Sequence, residues 1–323
     1  MKKLFFLLGL LTLTSCTQNT AELPTEEAAS TSERYVLFTV NTQEFIYSEE
    51  SAETINRIID LHEEYDVPVD LYLTEDILRT YEEMAPDLVE RLKTSPVVAV
   101  SYHSRPPVPY NSSAYDFLGL DQMSEDELYA TLLDYQEHAT DAETGETTDQ
   151  DGGYQHVKDV IGYAPVIVGI SAEKTITEVL SKIYKDKGAE FIAHGKTDGL
   201  GKKLYGLFLR PEDIEVLLSE YAGQEASTFI PALWEEQGAS GFMDVKVHDN
   251  EFIATKSAWG SIYSKQQPPY DLNRGETKRE LLSAEESETF WDLYESCVKY
   301  VSEHDSEYQA INALDLQEMT KTL

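Results

Sequence analysis

Short runs of β-branched and aliphatic residues alternate with longer amphipathic stretches from residue 35 onward, and that alternation restricts the chain to an α/β fold with a mainly parallel sheet. Tyr35-Val36-Leu37-Phe38-Thr39-Val40 predicts a first buried strand. Residues 51–65 carry Ile55, Ile58, Ile59 and Leu61 at helical spacing, and Asp66-Val67-Pro68 ends that helix because the residue before a proline avoids helical dihedrals. Val69-Asp70-Leu71-Tyr72-Leu73 is the second strand, residues 75–93 a helix, and residues 96–102 a third strand running into His103. A long insertion follows over residues 105–162, with one helix near 124–138 and a polar stretch over 140–153. An insertion of that length usually covers a functional face. The alternation resumes with a strand at 166–170, a helix at 176–187, a strand at 190–193 ending at His194, and a strand at 204–209 closed by Arg210-Pro211. Residues 211–221 read as a helix, 245–247 as a strand ending at His248, 285–304 as the last helix and 308–313 as a final short strand. About eight strands with intervening helices indicate a β/α barrel more than an open sheet, and functional residues of such barrels sit just past the C-terminal ends of strands. That rule places Asn41, His103, His194, Arg210 and His248 around one mouth.

The N-terminal end sets where such a domain is expected to work. Met1-Lys2-Lys3 precedes the apolar stretch Leu4 to Leu11, which is too short to span a bilayer and reads as a secretion signal. The Leu13-Thr14-Ser15-Cys16 sequence resembles the lipobox of bacterial lipoproteins and implies lipidation of Cys16. Acyl chains contribute about 0.8 kcal/mol per buried methylene, so two or three chains anchor a protein without a spanning helix. Residues 1–16 are thus expected to be the signal, residues 17–33, rich in Thr, Ser, Glu, Ala and Pro, a flexible tether, and residues 34–323 a single domain on an extracytoplasmic face of the cell envelope. With Cys16 lipidated, Cys297 has no partner for an intrachain disulfide. Sixty acidic against 25 basic residues give a net charge of −35, which repels nucleic acids and anionic headgroups.

The body resembles the polysaccharide deacetylases of the NodB-homology type, from Tyr35 to Met319. Val36-Leu37-Phe38-Thr39-Val40-Asn41-Thr42 falls where that family has a strand ending in Thr-Phe-Asp-Asp. Residues 65–73 look like its second strand, and Ser101-Tyr102-His103-Ser104-Arg105-Pro106-Pro107 falls where it has His-Ser/Thr-x-x-His. Val247-His248-Asp249 looks like its late Leu-His-Asp motif, and residues 308–314 like its closing strand. The resemblance implies a distorted (β/α) barrel with the long insertion after the third strand, acting on a polysaccharide or oligosaccharide. In that family the first aspartate is the general base, the second aspartate and two histidines bind zinc or a similar metal, and the late histidine is the general acid. A metal-bound water must be deprotonated and aimed at a carbonyl while the leaving group is protonated.

This chain keeps only part of that set. Asn41 stands at the base position, Thr42 at the metal carboxylate and Pro107 at the second histidine. Two readings follow. In one, His103, His194 and His248 form a rebuilt site for a divalent, zinc-like metal, with Glu44 or Asp249 as base and His248 as acid or second ligand, giving a deacetylase-like hydrolase. In the other, the metal is gone and a saccharide cleft binds without hydrolysis. Arg105 and Arg210 are candidates for an acidic sugar, with a salt bridge to a neighbouring acid as the alternative role. Tyr102, Tyr110 and Trp259, with Trp234, Tyr263 and Tyr270, lie in or beside expected loops, where aromatic faces stack on sugars or fill the core.

Overall fold

The computed structural model describes residues 33–195, 199–238 and 240–323. The expectations for residues 1–16, for lipidation of Cys16 and for the tether up to residue 32 lie outside the described residues. In chain order the strands are β1 (Arg34–Thr42), β2 (Val69–Leu73), β3 (Val98–His103), β4 (His138–Thr140), β5 (Thr147–Asp151), β6 (Ile167–Gly169), β7 (Phe191–Ala193), β8 (Lys203–Leu204), β9 (Leu207–Leu209), β10 (Ile214–Leu217), β11 (Gly241–His248) and β12 (Gln309–Ala310). Eight of them run parallel in the order β10-β11-β1-β2-β3-β6-β7-β9. β8 adds antiparallel to β9, and β12 lies against the start of β1. The sheet curls as the β/α barrel reading requires, but β9 and β10 at its two ends do not pair. The chain itself spans that seam: the Arg210 N–H bonds the carbonyl of Ile192 on one side, and the Asp213 N–H that of Phe242 on the other.

Each strand follows from its residues. In β1 and β11, Val36, Phe38, Val40, Met243, Val245 and Val247 point outward into a buried layer beneath the helices. The alternate positions Leu37, Thr39, Asn41, Asp244, Lys246 and His248 face inward, because successive side chains on a strand take opposite faces. Register puts Asn41 beside His248 and beside Tyr72. Helix Ser48–Tyr65 buries Ile55, Ile58 and Ile59 and stops at Asp66, whose left-handed φ of 52° lets its N–H bond the His62 carbonyl. Helix Ala284–Glu303 packs beside it, and His62 is held between the Val67 carbonyl and the Tyr294 hydroxyl at 2.8 and 2.7 Å. Burial pushes the His62 pKa down to about 4.

An apolar layer of Leu37, Ala99, Ile167, Phe191 and Phe242 forms the barrel floor, and Ala313 and Leu316 of the final helix Ala313–Thr320 close it from below. The insertion after β3 holds helices Glu125–Glu137 and Gly153–Ile161 and the β4–β5 hairpin. No helix among the described residues is long and apolar enough to cross a membrane.

Three local expectations are corrected. Residues 211–221 are not a helix: Ile214 and Val216 are buried while Glu215 and Leu217 face the interior, so the period is two and the segment is β10 followed by a 3-10 turn at Leu218–Tyr221. Residues 204–209 form a hairpin turned at Tyr205 and Gly206, both at positive φ. Helix Ala226–Gln237 was not foreseen, and Trp234 lies buried within it instead of in a loop.

Candidate functional site

A cavity of about 540 Å³ opens at the C-terminal ends of the parallel strands. Thr39, Asn41, Tyr72, His103, Arg105, His194, Arg210, Lys246 and His248 all border it, so the five strand-end residues expected at one mouth are brought together.

Its inner wall is an ionic network. Arg210 pairs with Asp244 at 2.5 Å and Glu212 at 3.2 Å, and donates to the Thr39 hydroxyl at 2.9 Å. Lys246 bonds Glu212 at 2.6 Å and Glu215 at 2.8 Å. Burial alone would raise Asp244, but Arg210 and Lys246 outweigh it and hold the carboxyl below its usual range. Arg210 therefore takes the salt-bridge role. Beneath this network, burial pushes Asp70 up to about 7, against the Ala313 N–H and Arg210, which favour its ionised form.

The rim is built from histidines and Arg105. His103 is held neutral, well below its ordinary pKa, by burial first and then by the charges of Arg105 and His248. Its Nδ1 is buried without a hydrogen-bond partner. β6 passes close to this ring: a Cβ on Gly169 would lie 3.2 Å from it, so the position favours a residue without a side chain. The Nδ1 of His248 lies 3.5 Å from Glu251, whose carboxylate also accepts the His248 main-chain N–H at 2.8 Å. Tyr72 presents a hydroxyl that is likewise buried and unpartnered.

The carboxylates expected to act as base do not reach the cavity. Asp249 is fully buried and accepts the N–H groups of Gln43 and Glu44, each at 3.0 Å, and the Ser51 hydroxyl at 2.7 Å. Burial and the neighbouring Glu44 push it up to about 6. Glu44 receives both Nη atoms of Arg279 and the N–H groups of Ile46 and Tyr47. Both acids tie the segment after β1 to the segments after β11, and both are corrected from candidate bases to structural clamps.

The donor set does not suit a zinc-like metal. Among the described residues, no three His, Cys, Asp or Glu side chains are grouped so as to hold one. His103, His194 and His248 border one cavity without forming a ligand set, Thr42 is buried away from it, and Arg105 places a positive charge beside His103. The residues present do not fit the ion.

Of the aromatic candidates, Tyr102 packs edge-on against Tyr154 at 5.5 Å, bordering a smaller hollow behind Arg105. Tyr110 is buried and accepts a bond from Gln136. Tyr263 and Tyr270 pack against each other in a separate cluster. Trp259 alone approaches the mouth, with the Arg105 guanidinium 5.0 Å from its ring centre. Sequence reasoning missed Thr39, Tyr72, Glu212, Glu215 and Lys246. The signal was present in β11, where Asp244, Lys246 and His248 form a polar stripe at every second position.

The chain matches no family model and no curated protein. Among solved structures it is similar to a protein from Mycobacterium smegmatis assigned as a polysaccharide deacetylase, at 10% identity and a TM-score of 0.50, covering 94% of this chain and 93% of that one. A protein of Pseudomonas aeruginosa with the same assignment gives 10% identity and a TM-score of 0.50, covering 89% and 90%. A 4-alpha-glucanotransferase from Thermococcus litoralis gives 10% identity and a TM-score of 0.49, covering 89% of this chain, which spans 40% of that enzyme. The chain has the polysaccharide deacetylase fold.

Proposed function

We propose that the chain is a lipid-anchored protein of the cell envelope that binds a saccharide in the barrel-mouth cavity and does not hydrolyse it through a metal-bound water. The observation that carries this reading is the survival of the cavity after loss of the machinery. Asn41 and Thr42 replace the two carboxylates the resemblance calls for, and the nearby acids Glu44 and Asp249 are committed to buried internal bonds. What remains at the mouth is a concave surface of about 540 Å³ with hydroxyl, imidazole, amide and guanidinium groups, a donor and acceptor set suited to sugar hydroxyls. The sequence of residues 1–16 and the tether to residue 33 support attachment at a membrane through Cys16.

Calorimetric titration of the full-length protein in detergent with acetylated and deacetylated oligosaccharides tests the reading. The expected result is saturable binding with no acetate released. Acetate release that a chelator abolishes would overturn it.

A further inference from the structure

Arg105 stands apart from every other cation of the cavity. Arg210 and Lys246 are shared among Asp244, Glu212 and Glu215, so two positive charges already meet three negative ones. Arg105 has no ion-pair partner among the described residues, and its Nε is buried without a hydrogen bond. Tyr115 and Asp249 act on it through space, and burial still lowers its pKa to about 10. In a chain of net charge −35, an arginine left without a carboxylate at the wall of a cavity is a site awaiting an anion. Leaving a charge so placed is costly unless a ligand completes it.

Its neighbours point the same way. The unpartnered Tyr72 hydroxyl and His103 Nδ1 belong to side chains that border the same cavity, and the Arg105 guanidinium lies over the Trp259 ring within cation–π distance. Trp259 lies on the short helix Ala258–Ile262, whose Gly260 and Ser261 border an open hollow with Lys256, Arg274 and Lys278. Residues 256–278, short of the buried Arg279, hold four basic against two acidic residues, so the segment carrying Trp259 is locally cationic in an otherwise acidic chain.

We propose that the cavity selects a saccharide bearing a carboxylate and that Arg105 receives that carboxylate. This rests on the reading that a saccharide occupies the cavity. A planar carboxylate matches the guanidinium fork and carries one charge. A dianionic phosphate would set its second charge against the surplus carboxylate of the inner wall.

The test is calorimetric titration of the full-length protein in detergent with a uronic-acid tetrasaccharide, with a muramic-acid disaccharide, and with the carboxyl-reduced form of each. At least one acidic sugar binds at least roughly tenfold more tightly than its reduced form, the range expected for a charged hydrogen bond. Which acidic sugar shows the difference identifies whether the carboxylate is borne by the ring or by a lactyl ether. Arg105→Gln removes the difference, Arg105→Lys keeps part of it, and added salt narrows it. Reduced sugars that bind the wild-type protein as tightly as the acidic ones would overturn the proposal while leaving saccharide binding intact. Binding of no sugar at all would overturn the reading on which it rests.

Discussion

Glu44 and Arg279 lie 235 positions apart and meet as a fully buried two-pronged ion pair. The pair fixes the loop after β1 against the segment after β11, below the mouth of the cavity. Removing one partner strands a buried charge, so Glu44→Gln is expected to cost about 3–5 kcal/mol in urea unfolding. The double variant Glu44→Gln, Arg279→Met should recover more than half of that loss. A single variant as stable as wild type would show that the pair carries no structural role.

Asp70 makes stability depend on pH in a defined direction. Its folded pKa of about 7 lies above the ordinary value of 3.8, because burial disfavours the charged form. The unfolded chain therefore releases this proton first as pH rises. The stabilisation is present below pH 4 and lost by pH 7, with a slope of about 1.4 kcal/mol per pH unit. Asp70→Asn has no such proton, so its stability relative to wild type should climb from pH 4 to pH 7 and level off above. Parallel curves for the two proteins would refute the assignment.

Metal removal should change nothing. With no grouped ligand set among the described residues and a guanidinium beside His103, a chelator is expected to leave both the melting temperature and saccharide binding where they were. A fall in either on chelation, reversed by zinc, would restore the hydrolase reading.

Gly169 controls where His103 sits. A methyl group there meets the imidazole 3.2 Å away, and the ring has the cavity to move into. Gly169→Ala should cost near the low end of the usual 1–3 kcal/mol for overpacking, roughly 1 kcal/mol. Saccharide affinity should fall by roughly three- to tenfold as the ring enters the cavity. An unchanged affinity would place His103 outside the binding surface.

The parts of the site that could be read from sequence are those fixed by local pattern. The ends of β1, β3, β7 and β11 were legible because aliphatic runs stop abruptly at Asn41, His103, His194 and His248. The commitments of Glu44 and Asp249 were not, since their partners are set by tertiary approach: Arg279 is remote in sequence, and Ser51 reaches Asp249 only because β1 lies beside β11. β10 was misread as a helix because Pro211 followed by acidic residues looks like a helix start, while its two-residue period spans only four residues. Helix Ala226–Gln237 was hidden by Pro231 and by the apolar run around it.

β1 is the first strand of the described body, yet it lies inside the sheet, paired over residues 34–41 with residues 241–248 and again with residues 309–310. A ribosome that has delivered β1 must add some two hundred residues before the strand's principal partner exists. The floor waits longer still, because the helix that seals it, Ala313–Thr320, follows every strand of the described sheet. β1, β2 and β3 can pair early, but the β1–β11 pairing is a long-range contact, the kind that contact-order arguments associate with slow folding. The order of synthesis thus leaves one edge of β1 unpaired until residues 241–248 have been made.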